Sequence, residues 1–139
     1  MKEKKILIVD DDSVNLKILT NILDNNEYSI MQASGGLEAV KMAKNNHPDL
    51  IILDITMPDM DGGEVANILK NNPSTKNIPI IFLSSLIKKE EEKYSSKKDS
   101  IYLMSKPYNK DELIRIAREQ LYWGGKTAKK ENKTNISYF

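Results

Sequence analysis

The sequence predicts an α/β domain, a doubly wound sheet of five parallel strands with helices on both faces. Three observations lead there. Unbroken apolar runs such as Ile6-Leu7-Ile8-Val9 and Leu50-Ile51-Ile52-Leu53 read as parallel strands buried on both sides. Such runs alternate five times with segments of helical apolar spacing, the pattern of consecutive β–α units. Turn and breaker residues separate them, among them Asn25-Asn26, Gly35-Gly36 and Asn71-Asn72-Pro73.

The first strand is expected over Lys5–Val9, and the first helix from about Ser13, with Val14, Ile18, Leu19, Ile22 and Leu23 on its inward stripe. Tyr28–Ala33 is the second strand. Gly35-Gly36 open the second helix, where Leu37, Val40 and Ala43 share a face, and Asn45-Asn46-His47-Pro48 break it before the third strand, Asp49–Leu53. The turn-rich loop Met57–Gly62 leads into a third helix that turns Val65, Ile68 and Leu69 inward and ends at Asn71-Asn72-Pro73. Ile78–Leu83 is the fourth strand, and the mixed-charge stretch Lys88–Tyr94 is expected as a short, solvated fourth helix. The fifth strand is Ile101–Met104 and the fifth helix Asp111–Trp123, carrying Leu113, Ile116, Ala117 and Leu121. Residues 1–123 therefore read as one domain and 124–139, with little apolar surface, as a polar tail or linker.

Composition narrows the function. With 139 residues the chain suffices for one hydrophobic core, and 21 basic against 20 acidic residues give no excess that would suggest nucleic acid. The absence of cysteine excludes disulfides and thiolate chemistry. The apolar stretch after the charged start is too short for a signal-peptide core, and no segment has the length of a membrane span, so a cytoplasmic location is expected.

The chemistry sits where the strands end. Asp10-Asp11-Asp12 follow the first apolar run and Asp54 follows another, and the carboxyl ends of parallel strands open into the crevice where such folds bind ligands. A lone Asp there often caps a helix. Two strands ending alike favour a shared site, in which crowded carboxylates call for a hard cation such as Mg²⁺. Ser84 from the fourth strand and Lys106 from the fifth would join them, completing the parts that phosphoryl transfer needs: a carboxylate nucleophile, a divalent cation, an ammonium and a hydroxyl. Pro107 favours an extended conformation at Lys106 and so keeps the lysine at the strand end. Taken singly, Lys106 reads as a solvent-facing lysine, Ser84 as a turn residue, Asp12 as the cap of the first helix and Asp61 as the cap of the third.

The runs Ile6–Asp12, Pro48–Asp54, Met57-Pro58-Asp59-Met60-Asp61-Gly62 and Lys106-Pro107, in this order and spacing, make the chain resemble the receiver domain of bacterial two-component response regulators, most of all the single-domain, chemotaxis type. The resemblance spans about Lys4 to Trp123. It implies the flavodoxin-like (βα)5 fold with strand order 2-1-3-4-5. It implies that Asp54 is the phosphoacceptor, taking a phosphoryl group from a phosphohistidine on a histidine kinase or histidine phosphotransfer protein, and that the domain catalyses this step itself without being an enzyme on other substrates. By the same resemblance Asp11 and Asp54 ligate Mg²⁺ directly, Asp10 through water, and the main-chain carbonyl of Thr56 adds an oxygen. Lys106 pairs with a phosphoryl oxygen and Ser84 moves in to hydrogen-bond the phosphoryl group, switching a partner-binding surface; a phosphorylation-dependent homodimer stays open. Two features depart from the family pattern. Leu103 stands where an aromatic switch residue is common, with Tyr102 beside it on the other face, and Asp99-Ser100 replace a Gly-Ala pair.

Two alternatives compete. A haloacid-dehalogenase-type phosphohydrolase would use Asp10-Asp11-Asp12 as its Asp-x-Asp motif with Ser84 and Lys106, but it needs a later acidic pair and leaves Asp54 idle. A degenerate receiver would bind a partner without phosphorylation, although all the pocket positions are chemically competent. The phosphate-loop look of Gly125-Lys126-Thr127 and the calcium-loop look of Asp59–Gly62 fail at their other required positions. His47, the only histidine, reads as a loop residue.

Overall fold

In the computed structural model the described residues are 3–25, 27–54, 61–86, 90, 92–96 and 100–123. They form strands β1 (Lys4–Val9), β2 (Tyr28–Ala33), β3 (Leu50–Asp54), β4 (Ile80–Ser84), β5 (Lys93–Ser96) and β6 (Ile101–Ser105). The helices are α1 (Ser13–Leu23), α2 (Gly36–Asn46), α3 (Gly62–Lys70) and α4 (Lys110–Trp123). Their sheet has the order β2-β1-β3-β4-β6-β5, parallel throughout except for β5, which runs antiparallel to β6 at the edge. The five parallel strands and their order match the doubly wound expectation. Among the described residues no helix is long and apolar enough to cross a membrane.

Strand alternation splits the core in two. Ile6, Ile8, Leu50, Ile52, Ile81, Leu83 and Met104 face α1 and α4, where Leu16, Leu19, Leu23, Leu113, Ile116, Ala117 and Leu121 meet them. Leu7, Val9, Ile51, Leu53, Ile80 and Phe82 face α2 and α3, against Ala39, Ala43, Val65, Ala66 and Leu69. Each fully buried Leu or Ile contributes roughly 1.5–3 kcal/mol, so the central strands β1, β3 and β4 anchor the site at their carboxyl ends.

Three helical stripes differ from expectation. In α1 Leu19 and Leu23 are buried as expected, but Val14 is 61% and Ile18 45% exposed, and Leu16 takes the inward place. At 100° per residue Val14 and Ile18 lie about half a turn from Leu16, so α1 carries a second, outward apolar ridge. Likewise Leu37 is 65% exposed while Gly36, Ala39 and Ala43 are buried, and Ile68 yields to Val65, Ala66 and Leu69 in α3.

The largest correction falls between β4 and β6. A helix was expected over Lys88–Tyr94; Lys88, Lys89 and Glu91 lie outside the described residues, and at the end of that stretch Lys93 and Tyr94 belong instead to a strand, Lys93–Ser96, paired with β6. The run of lysines and glutamates offers no apolar stripe that would reward helix burial, whereas β6 presents an open edge whose backbone groups need partners. The expected tail 124–139 and most of the loop Met57–Gly62 lie outside the described residues.

Candidate phosphoacceptor site

The register brings the acids together. Val9 pairs with Leu53, so Asp10 and Asp54 follow at the same level on neighbouring strands, and Asp10 N–H donates to Ala33 O at 3.1 Å to hold the end of β1 against β2. One carboxylate oxygen from each of Asp10, Asp11 and Asp54 lies within 4.8 Å of the others. On the far side, Lys106 Nζ stands 3.6 Å from Asp54 Oδ1, an ion pair longer than a direct hydrogen bond. Lys106 N–H donates to Ser84 O at 2.9 Å, which ties the root of the lysine to β4.

Each acid has its own surroundings. Asp10 is only 2% exposed, and its Oδ1 accepts from Asp12 N–H at 3.0 Å. Burial holds its carboxyl above the ordinary aspartate range, a rise opposed by the Asp12 hydrogen bond and reinforced by the Asp54 charge. Asp11 is exposed and Asp54 half-buried. Asp12 points away from the cluster and caps α1, its Oδ1 accepting from Val14 N–H at 2.8 Å, and Asp61 caps α3 by accepting from Glu64 N–H. Ser84 is buried at the end of β4, where its Oγ accepts from Leu86 N–H at 3.0 Å and closes the turn. Thr56 lies outside the described residues.

Sequence reasoning missed Asn15 and Tyr108 beside these. A cleft of about 400 Å³ opens next to Asp10 and Lys106, lined by Asn15, Leu19, Leu83, Ser85, Pro107 and Tyr108. Asn15 lies beside Asp10 and favours its charged form, and the Tyr108 phenol is pushed up by burial and by the Asp10 charge. Asn15 could have been found, since it stands one helical turn beyond the acids. Leu103 and Tyr102 sit on opposite faces of β6, as strand alternation requires, with Tyr102 packed toward α1 and α4.

An oxygen-only set of three converging carboxylates, one of them buried, suits a hard divalent cation: octahedral Mg²⁺ with bonds of roughly 2.1 Å spans oxygens about 3–4 Å apart, a small closure from the spacing here. The profile of the response regulator receiver domain matches residues 6–118. The chain belongs to the response regulator receiver family. It is a phosphoacceptor module of two-component signalling, a family that works with histidine kinases or phosphotransfer proteins. It is similar to the polar-differentiation response regulator DivK of Brucella ovis, 30% identical over 118 residues that cover 85% of this chain and 96% of that one. Among solved structures, the receiver domain of Francisella response regulator 1452 superposes with a TM-score of 0.73 at 30% identity, covering 84% of this chain and 94% of that one. Vibrio cholerae chemotaxis protein CheY4 gives 0.71 at 25% identity, covering 85% and 98%. Membership in this family leaves the phosphohydrolase reading without support, and Lys106 leads into α4 rather than to another acid-bearing strand.

Proposed function

We propose that Asp54 accepts the phosphoryl group, in a Mg²⁺-dependent reaction that the receiver catalyses for itself, from a phosphohistidine on a histidine kinase or phosphotransfer protein. The observation that carries this reading is the convergence of Asp10, Asp11 and Asp54 with Lys106 Nζ 3.6 Å from Asp54. An Asp54 carboxylate oxygen forms the bond to phosphorus as the P–N bond to the imidazole breaks, and the leaving nitrogen retains the electron pair. A carboxylate is a weak nucleophile, so alignment and charge shielding supply the rate. Lys106 shields one phosphoryl oxygen. Ser84, whose oxygen already accepts from Leu86, keeps its O–H to donate to another. Asp11 and Asp54 directly, Asp10 through water and the Thr56 carbonyl would hold Mg²⁺, which when bound would supply neutralisation of phosphoryl charge. Water then hydrolyses the acyl phosphate slowly, which resets the switch.

The test is intact-mass measurement after incubation with acetyl phosphate. One added phosphoryl group is expected with Mg²⁺, and none with a chelator or in Asp54→Asn. Equal labelling of Asp54→Asn would remove Asp54 from this role, and no labelling of the wild-type chain would favour a receiver that binds partners without phosphorylation.

A further inference from the structure

The end of β6 beside the site is held on both flanks, and only one of them belongs to the parallel sheet. On the β4 side, Ser84 O accepts from Lys106 N–H. On the other side β5 pairs with Ile101, Tyr102 and Leu103, and the ladder stops there. Ser105, buried and one residue before Lys106, donates instead to the Glu92 carboxylate: Oε2 accepts from Ser105 N–H at 2.9 Å and from Ser105 Oγ–H at 2.6 Å. A buried main-chain donor must find an acceptor, and an ionised one makes the shorter and stronger bond. Glu92 is also the residue directly before β5, so its carboxylate joins the edge strand to the root of the lysine.

We propose that Glu92 is a positioning residue for phosphoryl transfer, its carboxylate clamping Ser105 and thereby fixing the strand end from which the Lys106 ammonium reaches Asp54. This rests on the reading of Asp54 as phosphoacceptor. Lysine is a point charge on a flexible four-carbon stem, so its shielding of a transferring group depends on where the stem is rooted. Two anchors hold that root: Lys106 N–H on Ser84, and Ser105 on Glu92. Without the second, Lys106 keeps its charge but spreads over more positions. The same clamp is a mechanical joint, because any shift of Ser105 and Lys106 pulls on Glu92 and so on Lys93–Ser96.

The experiment compares the full-length wild type with Glu92→Ala, Glu92→Gln and Ser105→Ala. Three quantities are read: Mg²⁺ affinity by calorimetry, initial phosphorylation rate with acetyl phosphate, and amide exchange of Lys93–Ser96 in the metal-free protein. In Glu92→Ala the rate should fall about tenfold, the equivalent of roughly one charge-assisted hydrogen bond. Exchange of Lys93–Ser96 should speed up, while Mg²⁺ affinity stays within about twofold because its carboxylates stand on β1 and β3. Glu92→Gln keeps an acceptor oxygen at the same reach and should restore the rate to within about threefold of wild type. Ser105→Ala, which keeps the main-chain donor, should fall between and carries the test if Glu92→Ala does not fold. A wild-type rate in Glu92→Ala or, failing that, in Ser105→Ala overturns the proposal. So does a loss in Glu92→Gln equal to that in Glu92→Ala, or a parallel loss of Mg²⁺ affinity, which would mark a general structural defect. Absence of labelling in the wild type instead strikes the phosphoacceptor reading itself.

Discussion

Asp10 shows at the scale of one residue why a cation would suit this site. It is buried, close to a second carboxylate, and partly compensated by the hydrogen bond from Asp12 N–H. Because its carboxyl is held above the ordinary range, the native chain binds more protons than the unfolded one between the two pKa values. Stability contributed by its protonation is complete below the unfolded pKa and is lost as pH rises through the native one. In the metal-free protein Asp10→Asn should therefore raise the unfolding free energy at neutral pH by on the order of 1 kcal/mol. The advantage should shrink as pH is lowered toward about 4. Denaturant titrations of both proteins check this, and a wild type more stable than the variant at neutral pH would count against it. The acids and Lys106 were legible in the sequence because each ends a strand that announces itself by an apolar run. Glu92 was not, since it sits in a run of like residues where no pattern distinguishes one glutamate from its neighbours.

Among the elements, α1 carries the clearest lesson. Its sequence holds two apolar sets, and period alone does not say which faces the sheet. The choice is made by Leu16, Leu19 and Leu23 meeting Ile6, Ile8 and Leu83, while Val14 and Ile18 face outward. Leu19→Ala should cost about 3 kcal/mol through lost burial and a residual cavity. Ile18→Glu should change stability by no more than about 0.5 kcal/mol, as outward substitutions do. Equal losses measured by thermal or chemical unfolding would show that α1 packs through the other ridge. The strand Lys93–Ser96 was unreadable for a different reason. The charges leading into it specify neither helix nor strand, so the outcome is set by the open edge of β6, a tertiary demand that no local pattern records.

Across the whole molecule, the parallel sheet does two things at once. Its buried apolar strands supply the stability, and its register sets Asp10 beside Asp54 and, two strands away, Lys106 beside both. The convergence at the carboxyl ends of the strands followed from the apolar runs, and the strand order from the family resemblance. The antiparallel edge strand and the clamp it brings did not. The whole reading stands on Asp54 being the group that becomes phosphorylated. The most direct measurement treats the protein with acetyl phosphate and Mg²⁺, reduces the acyl phosphate with borohydride, and maps the resulting alcohol by peptide mass spectrometry. The expected result is reduction of the side chain at Asp54 alone; reduction at Asp10 or Asp11, with Asp54 unchanged, would contradict it.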